Sequence, residues 1–251
     1  MPQKTRLTDT IYDWSPAVLP SLSQQFEGRR PDELLRAALA AFGPDLVLAT
    51  GFGPSGVVLM HMLAHLSPET PVFYLQTDLL FPETLAVRDE LAARLGLKFI
   101  EIHCGLSLTE QAAAHGPDLW QRNPDLCCHL RKVSPLRQFL ADKAAWVTGL
   151  RRDQSTARAQ TPLLAWDMVN GLVKLNPLVA WSEADVWGYI AVHHLPYNVL
   201  HDQGYPSLGC IPCTRSVAEG QDVRAGRWVG WNKTECGIHL QPEVASRTTS
   251  S

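Results

Sequence analysis

The sequence predicts an α/β fold: a parallel twisted sheet flanked by helices, followed by a mobile C-terminal tail. Three observations carry that prediction. Short apolar runs of strand length alternate with longer stretches of helical length. The first run ends in the glycine-rich turn Thr50-Gly51-Phe52-Gly53-Pro54-Ser55-Gly56, which opens a helix. Beyond Gly209 the alternation stops. At 251 residues the chain accommodates one large domain with an added tail, divided as 1–213 and 214–251.

The elements follow in order. Residues from about 31 to 41 read as an amphipathic helix that starts at Pro31, where a missing N–H costs nothing. Leu46-Val47-Leu48-Ala49 is the first strand, and a helix resumes at Val57 after the glycine-rich turn. Pro71 to Leu75 is a second strand, Pro82 to Leu95 a helix capped by Gly96, and Leu97 to Ile102 a third strand. Ala144 to Gly149 reads as a fourth strand, followed by the basic loop Leu150-Arg151-Arg152-Asp153-Gln154-Ser155. Ser182-Glu183-Ala184-Asp185 opens another helix with a capping-box-like start. The last residues, Ser246 to Ser251, are polar and expected to be disordered.

Composition narrows the function classes. Hydrophobic content of 45% and charged content of 19% are ordinary for a globular protein. A net charge of −3 argues against a broad basic surface for nucleic acid. No apolar run has the length of a membrane span, and Met1 to Arg6 lead into polar sequence with no apolar core of a secretory signal. The cytoplasm is the expected compartment, with no membrane partner. Reducing conditions there favour ligating or catalytic cysteines over disulfides.

Cysteine placement is the strongest chemical signal. Four of the six fall in two tight pairs, Cys127-Cys128 and Cys210-Ile211-Pro212-Cys213, and Cys236 stands alone in the tail. Adjacent cysteines are poorly disposed to bond each other. Cys-x-x-Cys serves zinc, iron–sulfur clusters and redox dithiols. The alternative is a set of buried cysteines packed as small hydrophobes. Cys236 lies in Lys233-Thr234-Glu235-Cys236-Gly237-Ile238-His239, where Lys233 or His239 can favour a nucleophilic thiolate and Glu235 opposes it. Cys104 has no partner in sequence and reads as structural.

Other candidates surround these. The 50–56 turn lacks the lysine of a phosphate-binding P-loop and is not G-x-G-x-x-G, yet it can present backbone N–H groups to a nucleotide. Asp78, at the end of the second strand, can bond a ribose or base, or merely cap the next helix. Arg131, Lys132, Arg151, Arg152, Arg158, Arg224 and Arg227 recur at loop positions beside cysteines and glycines. Each alone is a solvated surface charge; together they suggest an anion pocket.

Taken together, these motifs resemble the adenylyl-sulfate (APS) and phosphoadenylyl-sulfate (PAPS) reductases of sulfate assimilation. The resemblance spans about residues 46 to 240. It rests on Cys127-Cys128-His129-Leu130-Arg131-Lys132, Thr148-Gly149-Leu150-Arg151-Arg152-Asp153-Gln154-Ser155, Asn176-Pro177-Leu178, Leu195-Pro196-Tyr197-Asn198, Gly204 to Thr214, and Glu235-Cys236-Gly237-Ile238-His239.

The resemblance implies an adenine-nucleotide α-hydrolase-like sheet with APS bound at the glycine-rich turn. It carries substrate contacts onto Thr50, Gly51, Phe52, Gly53, Ser55, Leu75, Asp78, Lys132, Gly149, Arg151, Arg158, Arg224 and Arg227, with His239 in support. Relatives often have a serine-rich turn where this chain has Ala49-Thr50-Gly51; Thr50 offers a similar hydroxyl and Ser55 a second. Cys236 is the implied nucleophile, leaving an S-sulfocysteine that a thioredoxin or glutaredoxin-like reductant acting in trans releases as sulfite. Cys127, Cys128, Cys210 and Cys213 are the implied ligands of one 4Fe–4S cluster per subunit, and their presence tilts the substrate toward APS. Softness alone leaves zinc and iron–sulfur open. A homo-oligomer is expected. The alternatives are a PAPS or dual-specificity reductase, an ATP-using nucleotidyl or thiol transferase, and a non-enzymatic protein with structural zinc.

Overall fold

The computed structural model describes residues 12–239, so the expectations for Met1 to Arg6 and for Ser246 to Ser251 lie outside the described residues. Helices α1 (Leu19–Phe26) and α2 (Pro31–Phe42) precede strand β1 (Leu46–Ala49). Then come α3 (Pro54–Leu66), β2 (Val72–Gln76), α4 (Pro82–Leu95) and β3 (Phe99–His103). Three short helices follow, α5 (Leu108–His115), α6 (Leu119–Arg122) and α7 (Pro124–Cys128), then a π-helical turn over His129–Val133 and α8 (Ser134–Leu140). The chain continues through β4 (Ala145–Val147), β5 (Leu164–Asp167), β6 (Leu172–Leu175) and α9 (Glu183–Val192).

Local chemistry sets several boundaries. Proline starts α2, α3 and α4. Gly96 ends α4 with φ 66°, the left-handed cap that only glycine adopts at no steric cost. Ser182 and Asp185 close a capping box on α9, and Ser107 and Glu110 close another on α5.

The six strands form one sheet in the order β3-β2-β1-β4-β6-β5. All pairings are parallel except β5 with β6. The sheet is therefore the mostly parallel one expected from the sequence, with one antiparallel strand added at an edge. The physical reason is the short β5–β6 connection: Asp167 accepts from the N–H groups of Val169 and Asn170, and so tight a turn joins only antiparallel neighbours. No helix among the described residues is long and apolar enough to cross a membrane.

The strand order reverses at β1, which lies between β2 and β4. At such a switch point two successive crossovers leave in opposite directions and open a crevice beyond the strand ends. Alternate residues divide the core. Leu46, Leu48, Val72, Tyr74, Ala145, Val147, Val173 and Leu175 join the larger cluster, with α1 to α4 and α9. Val47, Phe73, Trp146 and Leu172 join a smaller one with Leu136 and Leu140 of α8. Ile238, far along the chain, packs against that smaller core.

The tail that the sequence marks from residue 214 is described as far as residue 239. Thr214 bridges Arg227, Arg215 N–H donates to Gly226, and the segment closes over the crevice. Gly226 allows this because a Cβ there would stand 2.1 Å from the carbonyl oxygen of Arg215. That oxygen is backbone and cannot swing away. Gly226→Ala is expected to unseat the segment and cut turnover by about tenfold or more while the main thermal transition moves little. Activity set beside a melting curve checks this.

Candidate active site

The crevice contains a cavity of about 340 Å³, a volume that suits a small ligand. Its floor is the end of β1 and the turn after it, with Thr50, Gly51, Gly53 and Ser55 on the lining. Thr50 Oγ1 accepts from the N–H of Phe52 at 2.9 Å and holds the turn. Phe52 has φ 58°, a strained value for a bulky residue, and is buried edge-on against Tyr74 and Phe99. Its side chain is thus a core anchor for the turn and is not among the residues that line the cavity.

The loop after β4 supplies the facing wall. Gly149 lies so close to Ser55 that a Cβ on it would sit 3.0 Å from that residue's Cβ. Arg151 Nη1 donates to Ser55 Oγ at 2.6 Å, and its Nε donates to Asp153 at 2.9 Å. The α3 amino end thus meets a hydroxyl already bonded to a guanidinium, a setting that favours negative charge. Leu75, Gly149, Arg151 and Arg158 all line the cavity.

The third wall is cationic and includes the tail. Lys132, Arg224, Arg227 and Cys236 line it together. Glu235 accepts two bonds from Arg158, both at 2.7 Å, and one from Arg224 at 3.3 Å. Arg224 also donates to the Thr234 carbonyl at 2.6 Å. Arg227 is held by Ser207 Oγ at 3.2 Å and by the Leu208 carbonyl at 3.1 Å, with its guanidinium 4.5 Å from the Trp228 ring centre. Burial works against the Lys132 charge, but the neighbouring Cys210, Cys236 and Cys128 sulfurs raise its proton affinity above the usual lysine range. Lys132 is therefore an ammonium at any physiological pH.

Several cavity-lining residues carry buried polar atoms with no protein partner among the described residues: Arg224 Nε, His201 Nε2, Trp146 Nε1 and Trp228 Nε1. Such atoms cost stability when unpaired and point to a polar ligand. His239 stacks on Trp146 and meets Lys174 Nζ at 3.2 Å through Nδ1. Burial, then the charges of Lys174, Arg158 and Arg224, push the His239 imidazolium well below its ordinary range, so the ring is neutral. It supplies no positive charge to Cys236, and Lys233 is engaged by Asp125. Lys132 lines the same cavity as Cys236, and the two groups interact electrostatically.

Behind Lys132 lie the paired cysteines. Cys127 and Cys128 end α7, and Cys210 and Cys213 flank a single helical turn. Cys127, Cys128 and Cys210 are buried and Cys213 is half-buried. Burial, then repulsion by Cys128, Cys210 and Cys213, pushes the Cys127 thiol up to about 12. Burial and Cys210 push Cys213 up to about 11. Burial also raises Cys128, against the pull of Lys132. Among the described residues no three His, Cys, Asp or Glu side chains are disposed to hold a single metal ion. The thiols are grouped closely enough to repel one another, and Cys104 is not among them.

The π-helical turn explains a division of labour the sequence left hidden. It contains both Arg131 and Lys132, whose side chains take different environments. Lys132 lines the cavity, whereas Arg131 is 1% exposed and donates to Gln111, the Thr77 and Leu106 carbonyls, and Asp78. Asp78 is the partner of Arg131 at 2.9 Å and is not among the residues that line the cavity.

Sequence reasoning missed the floor residue Trp146, the contact of Lys174 with His239, the role of Glu235 as an anchor, and the lining residues Glu183, Trp187 and His201. Only Glu235 had a local signal, its place beside Cys236. The others are ordinary strand and helix residues until the sheet assembles.

The family described as phosphoadenosine phosphosulfate reductase domain matches residues 45–216. An adenosine 5′-phosphosulfate reductase of Salinibacter ruber is 55% identical, covering 92% of each chain. A phosphoadenosine 5′-phosphosulfate reductase of Gloeobacter violaceus is 46% identical, covering 88% of this chain and 93% of its own. The crystal structure of a phosphoadenylyl-sulfate reductase from Candida auris, in complex with phosphate, superposes with a TM-score of 0.71 at 30% identity. It covers 83% of this chain and 100% of its own.

Proposed function

Because this chain belongs to the phosphoadenosine phosphosulfate reductase domain family, we propose that it reduces APS to sulfite and AMP at the expense of a dithiol. The observation that carries the reading is Cys236: the tail thiol lies in the same cavity as Lys132, Arg224 and Arg227, beside the sheet's nucleotide-binding corner. A thiolate there attacks the sulfate sulfur, the bond from sulfur to the bridging phosphate oxygen breaks, and AMP departs. Its leaving oxygen belongs to a phosphate of low basicity, so no strong general acid is needed. Cations on the wall offset charge that accumulates between sulfur and phosphate. Cys236 keeps the sulfonate as S-sulfocysteine. A thiolate of the reductant then attacks the Cys236 sulfur and expels sulfite. Its second thiol resolves the mixed disulfide, so the two electrons come from a dithiol of the thioredoxin or glutaredoxin type. The cytoplasm supplies such dithiols, and a homo-oligomer belongs to the same reading.

Four thiols in one group, with burial and then mutual repulsion raising the proton affinities of Cys127 and Cys213, suit a cation-rich inorganic centre better than a thiol cluster. Arg131 and Lys132 flank the group with two charges that offset thiolate ligands. The residues fit a 4Fe–4S cluster, with Cys127, Cys128, Cys210 and Cys213 as its ligands. When bound, such a cluster supplies fixed charge beside Lys132 and no net electrons to the substrate. The chain's own residues do the rest: Arg131 ties the ligand loop to the end of β2, and Lys132 faces the anion.

APS is favoured over PAPS by the two cysteine pairs and by the name of the Salinibacter relative. The name of the Gloeobacter relative keeps PAPS as the second reading. The test is turnover of protein purified without oxygen, with APS, PAPS and ATP offered separately beside a thioredoxin system, together with its iron content. Sulfite and AMP from APS, with brown iron-bearing protein, is the expected result. Preference for PAPS would move the specificity; pyrophosphate from ATP, or colourless zinc protein without sulfite release, would overturn the reading.

A further inference from the structure

The proposed chemistry leaves one buried charge without a task. Lys174, in the middle of β6, is 3% exposed and sits directly across from Trp146 of β4 in the parallel register. An ammonium in that place is costly to the sheet. Burial depresses its proton affinity to about 8, opposed by Asp167, while Arg158 depresses it further. Asp167 does not take the charge as a bonded partner: its oxygens accept from the β5–β6 turn, from Val169 and from Asn170. Lys174 Nζ instead lies 4.8 Å from the Trp146 ring centre and 3.2 Å from His239 Nδ1.

His239 is three residues after Cys236. Its ring stacks on Trp146 with centroids 5.6 Å apart at 27°. An ammonium has three donors and no acceptor. When Lys174 carries its proton, Nδ1 accepts from it and the single proton of the neutral imidazole is then on Nε2. On the other side of Cys236, Glu235 is gripped by Arg158 and Arg224. Cys236 thus lies between two buried attachment points, with Ile238 filling the small core between them.

We propose that Lys174 is a positioning residue that fixes the tautomer and ring orientation of His239 and thereby seats Cys236 against the cationic wall. The proposal rests on Cys236 being the reacting thiol. It touches neither the substrate nor the sulfur in this role; it acts through the imidazole. Tail docking then depends on Lys174, while the cations that bind the substrate remain where they are. With Lys174 removed, the imidazole loses its orienting donor and the tail samples undocked positions.

The experiment compares Lys174→Met, which keeps length and apolar packing against Trp146, with His239→Ala and with the double variant. Hydrogen exchange of residues 233–239 is read in the substrate-free protein, and kcat and KM for APS are read separately. Lys174→Met is expected to speed exchange in that segment alone and to lower kcat by about tenfold, with KM changed less than about threefold. His239→Ala is expected to do the same, and the double variant to be no worse than either. His239 lies outside the sheet, so its variant answers the question even if Lys174→Met fails to fold. Unchanged exchange at 233–239 in His239→Ala, or independent additive losses in the double variant, would overturn the proposal. The exchange readout does not require turnover, so it stands apart from any failure of Cys236 as nucleophile.

Discussion

Cys236→Ser is expected to abolish sulfite formation, with a loss of at least about a thousandfold, because a serine hydroxyl at neutral pH is a far weaker nucleophile than a thiolate. The substitution removes one sulfur and leaves the neighbouring attachments intact: Glu235 still meets Arg158 and Arg224, and His239 still stacks on Trp146. Binding of APS should survive, since the cations of the wall are untouched. The decisive measurement is mass spectrometry of the wild-type protein after exposure to APS without reductant. One added SO3 group on the tail peptide containing Cys236, absent from the serine variant, is the expected result. Full activity in the variant, or the added group on another cysteine, would remove Cys236 from the mechanism.

Lys132→Ala comes second in expected size. Its ammonium is the charge shared between the thiol group behind the cavity and the anion site in front of it. Turnover should fall by about 10² to 10³, the usual cost of removing a preorganised charge aimed at a transition state. If the proposed cluster is bound, its visible absorption should shift as well, because a cation has left the neighbourhood of Cys128 and Cys210. Full turnover with an unchanged spectrum would show that Lys132 acts on neither. Removal of Lys132 also exposes Cys128 to the opposite effect: without that cation its thiol should rise further.

Much of the scaffold was legible because its signals are local. Pro82 and Gly96 bracket α4 at the positions the sequence marks, and Ser182 with Asp185 announces α9. The β1 strand and its glycine-rich turn are read from a dozen consecutive residues. The antiparallel edge was not, since Leu172-Val173-Lys174-Leu175 reads as one more buried strand whatever its neighbour's direction. Asp78 shows the same limit at the site. Its place at a strand end suits a nucleotide contact, and only the fold reveals Arg131 taking that carboxylate from 53 residues away.

The sequence by itself determined the inventory: two cysteine pairs, a lone tail cysteine, recurrent loop cations and a βα rhythm with a glycine-rich corner. These depend on residue type and short spacing, which backbone sterics and capping translate directly into structure. The tertiary structure decided which of those residues meet. Glu235 finds Arg158 across 77 residues, and Lys174 finds His239 across 65. No local propensity encodes such contacts. They exist because alternate side chains on the assembled sheet face a second, smaller core, and the tail is the segment left to cover it.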